Sequence, residues 1–87
     1  MALVFIPPQM RDLTGGASQI DLPAATLREA IDQLEHHFPG LRERLCKDHA
    51  LSPSLQVSID SVMMQRSLSA KLNPHSEVHF LPAIGGG

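Results

Sequence analysis

The chain opens on consecutive apolar residues, Ala2 to Ile6, closed off by Pro7 and Pro8, which cannot extend a hydrogen-bonded ladder. This segment reads as a strand. Arg11 to Gly16 reads as a loop, with Gly15-Gly16 marking its turn. Across Ala17 to Leu22, Ile20 and Leu22 alternate with Gln19 and Asp21, the pattern of a half-buried strand. The period then changes. Leu27, Ala30, Ile31, Leu34 and Phe38 recur at helical spacing and define one apolar stripe, with Arg28, Glu29, Asp32, Gln33, Glu35 and His36 on the other faces. Thr26 and Glu29 have the spacing of a capping box, and Pro39-Gly40 ends the run, which predicts a helix over roughly 27–37. Leu41 to Cys46 reads as a short helical turn that tucks Leu41 and Leu45 inward. Leu55 to Asp60 alternates again, with Leu55, Val57 and Ile59 inward and Gln56, Ser58 and Asp60 outward. A short strand is expected around Met63 to Gln65, a turn at Asn73-Pro74-His75-Ser76, and a closing strand over Glu77 to Leu81.

A hairpin, a crossover helix, further strands and a last strand returning beside the first make an α+β fold. This is the β-grasp, or ubiquitin-like, arrangement: a mixed sheet of four to five strands with one main helix packed across it. The long intervening chain lets the first and last strands lie side by side and parallel. Residues 1–82 form the expected domain, and residues 83–87 a tail ending in Gly-Gly. If Val4, Ile6, Val78 and Phe80 face the helix, then Leu3, Phe5, His79 and Leu81 face the other way. Phe5 and Leu81 then form an exposed apolar patch leading toward Ile84, and such patches often mark a partner surface.

With 87 residues the chain makes one small domain, and 43% hydrophobic against 18% charged residues suits a globular protein. The single cysteine, Cys46, excludes an internal disulfide framework and fits a reducing cytosol, so a cytoplasmic location is expected. No apolar run is long enough to cross a bilayer, and no signal peptide is visible ahead of the first strand. Nucleic acid is a poor partner, because the formal net charge is −2, the basic residues are scattered, and Phe5, Phe38 and Phe80 are the only aromatics.

Candidate chemistry inside the domain is sparse. His36, His37, His49, His75 and His79 show no metal-ligand spacing and read as solvated surface residues, so no metal site is expected. Cys46 has Arg42 and Arg44 nearby but no paired base, and reads as a small core residue rather than a nucleophile. Gly15-Gly16 belongs to no phosphate-binding pattern. The distinctive feature is the run Gly85, Gly86 and Gly87 directly after the last strand. Such a tail, having no Cβ atoms, fits a narrow slot. Its α-carboxylate, with a pKa of about 3.5, is an anion at neutral pH and a poor electrophile until another enzyme activates it. No catalytic group of the chain's own is expected.

Taken together, these residues resemble the MoaD/ThiS family of ubiquitin-like sulfur carriers. The resemblance rests on Ile6-Pro7, Met10-Arg11 and Leu13-Thr14-Gly15-Gly16, then Leu34-Glu35, Phe38-Pro39-Gly40-Leu41 and Arg44-Leu45, and finally Leu81-Pro82-Ala83-Ile84 with Gly86-Gly87. It spans nearly the whole chain. The Thr-Gly-Gly loop and Leu-Pro-Ala-Ile ending look most like the branch that supplies sulfur for cysteine synthesis, with the small subunit of molybdopterin synthase a close second and thiamine synthesis a further destination. The resemblance implies that an ATP-dependent E1-like activating enzyme adenylates Gly87. A sulfur donor then yields a terminal thiocarboxylate, which a partner synthase uses. On this reading Gly85 and Gly86 are the stem that reaches into both partners' active sites, and Ala83 and Ile84 pack near the entrance. ATP belongs to the activating enzyme, and the carrier holds no permanent cofactor and is a cosubstrate rather than an enzyme. Two other classes stay open: a ubiquitin-like modifier conjugated through the same terminus, and a β-grasp interaction module with an inert tail. The chain departs from the family pattern at Asp60-Ser61, where an Asn-Gly or Asn-Asp turn is common, at His75-Ser76 in place of Gly-Asp, and at Gly85 in place of alanine.

Overall fold

In the computed structural model, which describes residues 1–64 and 68–83, five strands form one mixed sheet. β1 (Ala2–Phe5) pairs antiparallel with β2 (Gln19–Leu22) and parallel with β7 (Glu77–Pro82). β5 (Leu55–Ile59) pairs antiparallel with both β7 and β6 (Val62–Met64), giving the order β2-β1-β7-β5-β6. A separate two-stranded ribbon joins β3 (Cys46–Lys47) to β4 (Ala50–Leu51). The expected mixed sheet with first and last strands parallel is the one observed.

The helix α1 (Leu27–His37) buries Leu27, Ala30, Ile31 and Leu34, as the apolar spacing requires, while Phe38 packs half-buried beyond its end. Thr26 Oγ1 accepts the Glu29 N–H at 3.2 Å. The returning arm of the cap differs from the box expected. Glu29 Oε1 accepts the N–H of Ala25 at 3.0 Å, one residue before Thr26. Gly40, at φ 100°, occupies left-handed backbone that favours glycine and redirects the chain into α2 (Leu41–Leu45). Leu41 and Leu45 are buried, as expected. Glu35 clamps this corner by accepting the N–H groups of Gly40, at 3.1 Å, and Arg42, at 2.9 Å.

Two segments differ from the sequence reading. Most of the segment read as a loop at 11–16 belongs to a 3-10 helix, Pro8–Thr14, that buries Met10 and Thr14. Met10 and Leu13 stand three residues apart, the 3-10 period, so the apolar side chains share one face. The helix ends at Gly15, φ 65°, and the Thr14 hydroxyl donates to the Ala17 carbonyl at 2.9 Å. The β3–β4 ribbon was not expected, because its turn places Asp48 and His49 in left-handed backbone, φ 53° and 66°, without a glycine to announce it. The sixth strand is Val62–Met64, and Gln65, the end of the expected strand, lies outside the described residues. No described helix is long and apolar enough to cross a membrane.

The sheet packs one face against α1. Val4, Val57 and Val78 are fully buried there, with Ile6, Leu55 and Phe80 nearly so. Burying a side chain of this size contributes about 1.5–3 kcal/mol, and these residues join Leu22, Leu27, Ile31 and Leu34 in one continuous core.

Candidate functional site

The face of the sheet away from α1 follows the expected parity. Leu3, Phe5 and His79 are half-buried, and Leu81 is 39% exposed. Parallel pairing sets Phe5 directly beside His79, and their rings stack with centroids 4.1 Å apart and planes 10° from parallel. Cross-strand partners share a face, so register extends this row from Gln19 on β2 through Phe5 and His79 to Ser58 and Met63. Leu81, paired with Gln56, stands one step along β7 on the same face.

The patch is therefore broader than Phe5 and Leu81. His79 is its missing member. Parity puts it on this face, but the sequence alone reads it as a solvated surface residue; it is half-buried against Phe5, whereas the other four histidines are exposed. Only the β1–β7 register places it on Phe5. Its Nε2 also lies 3.6 Å from Glu77 Oε1, a contact that becomes an ion pair when the imidazole is protonated.

β7 carries the chain out of the middle of the sheet. Leu55 lies opposite Pro82, and the N–H of Ala83 donates to the Ser54 carbonyl at 2.9 Å, so the base of the tail is anchored to the segment entering β5. Ala83 is half-buried at that point. Ile84, Gly85, Gly86 and Gly87, named from the sequence as the stem and the sulfur-carrying end, lie outside the described residues.

At the opposite end of β7, Asp60 and Ser76 meet. Asp60 Oδ2 accepts the Ser76 hydroxyl at 2.9 Å, Asp60 Oδ1 accepts the Glu77 N–H at 2.9 Å, and Ser76 Oγ accepts the Asn73 N–H at 2.8 Å. Ser76 is almost wholly buried. The pair fastens the β5–β6 turn to the start of β7.

Elsewhere, Cys46 is half-buried rather than a core residue, and it lines an open cleft of about 520 Å³ with Ile31, Leu68, Arg28 and Lys47. Burial pushes its thiol above the usual cysteine range, and Arg42 and Arg28 offset this only in part. A thiol held protonated is a poor nucleophile. Among the described residues, no three His, Cys, Asp or Glu side chains gather where a metal could sit.

Comparison with known proteins agrees with the fold. Residues 4–87 match the sequence profile of the ThiS family. The sulfur carrier protein CysO of Mycobacterium bovis is 28% identical over 89 aligned positions, covering 97% of this chain and 96% of that protein. The Amycolatopsis orientalis BexX/CysO complex contains a chain that superposes with a TM-score of 0.90 at 29% identity, with all of both chains covered. The small archaeal modifier protein 1 of Methanosarcina acetivorans superposes at 0.80, covering 99% of this chain and 95% of its own. At 18% identity that likeness shows the fold alone.

Proposed function

Because the chain belongs to the ThiS family, we propose that it is a cytoplasmic sulfur carrier protein that bears sulfur on the carboxylate of Gly87. The observation that carries this reading is the family match, which extends through Gly86-Gly87 beyond a strand rooted in the middle of the sheet. The near full-length likeness to a protein named as a sulfur carrier supports it.

The chemistry follows from the carboxylate. An ATP-dependent E1-like enzyme joins the Gly87 carboxylate to AMP and releases pyrophosphate. A donor of hydrosulfide then attacks the acyl carbon and displaces AMP, leaving a thiocarboxylate anion. That sulfur is the nucleophile a partner synthase presents to its acceptor, with cysteine, molybdopterin and thiamine biosynthesis as the candidate pathways. Gly85 and Gly86 form a stem without Cβ atoms, suited to a narrow slot in both partners. Phe5, His79, Leu81 and Ala83 are the docking residues. The carrier itself supplies position and a surface, and is consumed and regenerated as a protein cosubstrate with no cofactor of its own.

Intact-mass analysis tests the reading. Incubation with ATP, the cognate activating enzyme and sulfide should replace one oxygen of the chain by sulfur. Deleting Gly87 should abolish loading while the thermal melt stays unchanged, because the tail follows the last strand. Normal loading of the deletion would overturn the assignment. An adduct to a lysine amine in place of a thiocarboxylate would make the chain a modifier instead.

A further inference from the structure

β6 lies at an edge of the sheet, paired with β5 on one side, and no other described strand pairs with it. Natural edge strands are commonly guarded by charged side chains or proline. This one reads Val62-Met63-Met64, with exposures of 60%, 52% and 36%, and no charge interrupts it. Its open backbone groups follow from the hairpin. Asp60 and Ser61 both have left-handed φ, 53° and 70°, which makes the two-residue connection a type I′ turn. In such a hairpin the closing pair, Ile59 and Val62, exchanges both ladder bonds, and bonded and non-bonded pairs then alternate. Ser58–Met63 is therefore the non-bonded pair. The N–H and C=O of Met63 point to the open side.

This edge is close to the root of the tail. Met64 lies opposite Val57 on β5, and Leu55 on the same strand lies opposite Pro82. Ordinary strand rise and spacing place Met64 and Pro82 on the order of 12 Å apart. A protein that holds the residues after Ala83 therefore comes within reach of β6. By register Met63 also continues the row of Phe5, His79 and Ser58, although Ser58 itself is buried, so the edge lies beside the outward face.

We infer that the open edge of β6 receives an extended, apolar strand of the enzyme that activates the tail, hydrogen-bonded to the N–H and carbonyl of Met63 as a sixth strand. Strand addition of this kind draws affinity from main-chain bonds and specificity from alternate side chains. The incoming strand is uncharged, with β-branched or aromatic residues opposite Val62 and Met64. A second copy of this chain is the poorer occupant. Pairing β6 with itself engages three residues on each side, against roughly 20–30 per side in a stable interface. A partner that also covers the outward face and the tail meets that requirement. The identity of this partner rests on the carrier reading above.

The test is binding of the purified cognate activating enzyme to the full chain, measured by calorimetry, with amide exchange followed at Met63. Met63→Pro removes only an N–H that faces away from β5, a place where edge strands tolerate proline. It should weaken binding at least tenfold with an unchanged melt, whereas Met63→Ala, which keeps the N–H, should cost far less. In the wild-type complex the Met63 amide should become protected from exchange. Should Met63→Pro lower the melting temperature, this wild-type protection decides the matter alone. Unaltered binding by a folded Met63→Pro, or an unprotected Met63 amide in the complex, overturns the inference. So does self-association of the wild-type chain that Met63→Pro abolishes. Normal sulfur loading with a free Met63 edge refutes this inference and leaves the carrier reading standing. Protection at Met63 without any loading does the reverse.

Discussion

Phe5 and His79 meet because parallel pairing sets them side by side, and their stack is worth about 0.5–1.5 kcal/mol beyond the area it covers. That is small against a domain's total, so losing it should leave the fold standing. Phe5→Ala and Leu81→Ala should each weaken binding to the activating enzyme while leaving the circular dichroism spectrum intact. Full-strength binding by both folded variants would remove this face from the docking site. Ser76 is the contrasting case. Its hydroxyl is buried and joins Asp60 to the N–H of Asn73. Ser76→Ala leaves that N–H without its side-chain acceptor and Asp60 Oδ2 without the Ser76 donor, while Asp60 Oδ1 keeps the Glu77 N–H, and costs about 1–3 kcal/mol. Urea unfolding should show the loss, with no change in affinity for a partner on the outward face.

Between α1 and α2, a single carboxylate makes the corner. Glu35 projects from the last turns of α1 and accepts two N–H groups at the start of α2. The N–H of Arg42 is the larger cause of its lowered pKa, followed by that of Gly40. A folded-state pKa below the unfolded one means that the charged form binds better in the folded chain. The stabilisation is therefore present above the unfolded carboxylate pKa and fades as pH falls through the folded one. Glu35→Gln should be less stable than wild type at neutral pH, with the difference vanishing on acidification. Melting temperatures of both proteins across the acidic range would check the sign, and a constant gap would refute it.

The whole molecule depends on one core, to which α1, α2 and all the strands of the main sheet except exposed β6 contribute buried side chains. Ile31, at 1% exposure on α1, lies within it. Ile31→Ala should lose about 2–5 kcal/mol, a large share of the roughly 5–15 kcal/mol that holds a domain folded. Because the core is shared, helix and sheet should unfold together, so fluorescence of a reporter on β7 and far-ultraviolet dichroism should give coincident transitions. Separate transitions would show that the helix and sheet are independent.

Some of this was legible residue by residue. The stripe from Leu27 to Leu34 and the alternation of Leu55, Val57 and Ile59 each express a backbone period within a few neighbours, so helix, strand and facing direction could be read locally. The inward and outward sides of β1 and β7 came from the same parity, and with them Phe5 and Leu81. The 3-10 helix was hidden because its period is short, and the β3–β4 ribbon because its turn uses left-handed Asp48 and His49 rather than glycine. His79 against Phe5 and Asp60 against Ser76 were hidden for a different reason. These pairs lie far apart in the chain, and a shift of register by one residue would turn each side chain to the other face. That register depends on how the entire core closes, a sum over many distant contacts that no short stretch of residues contains.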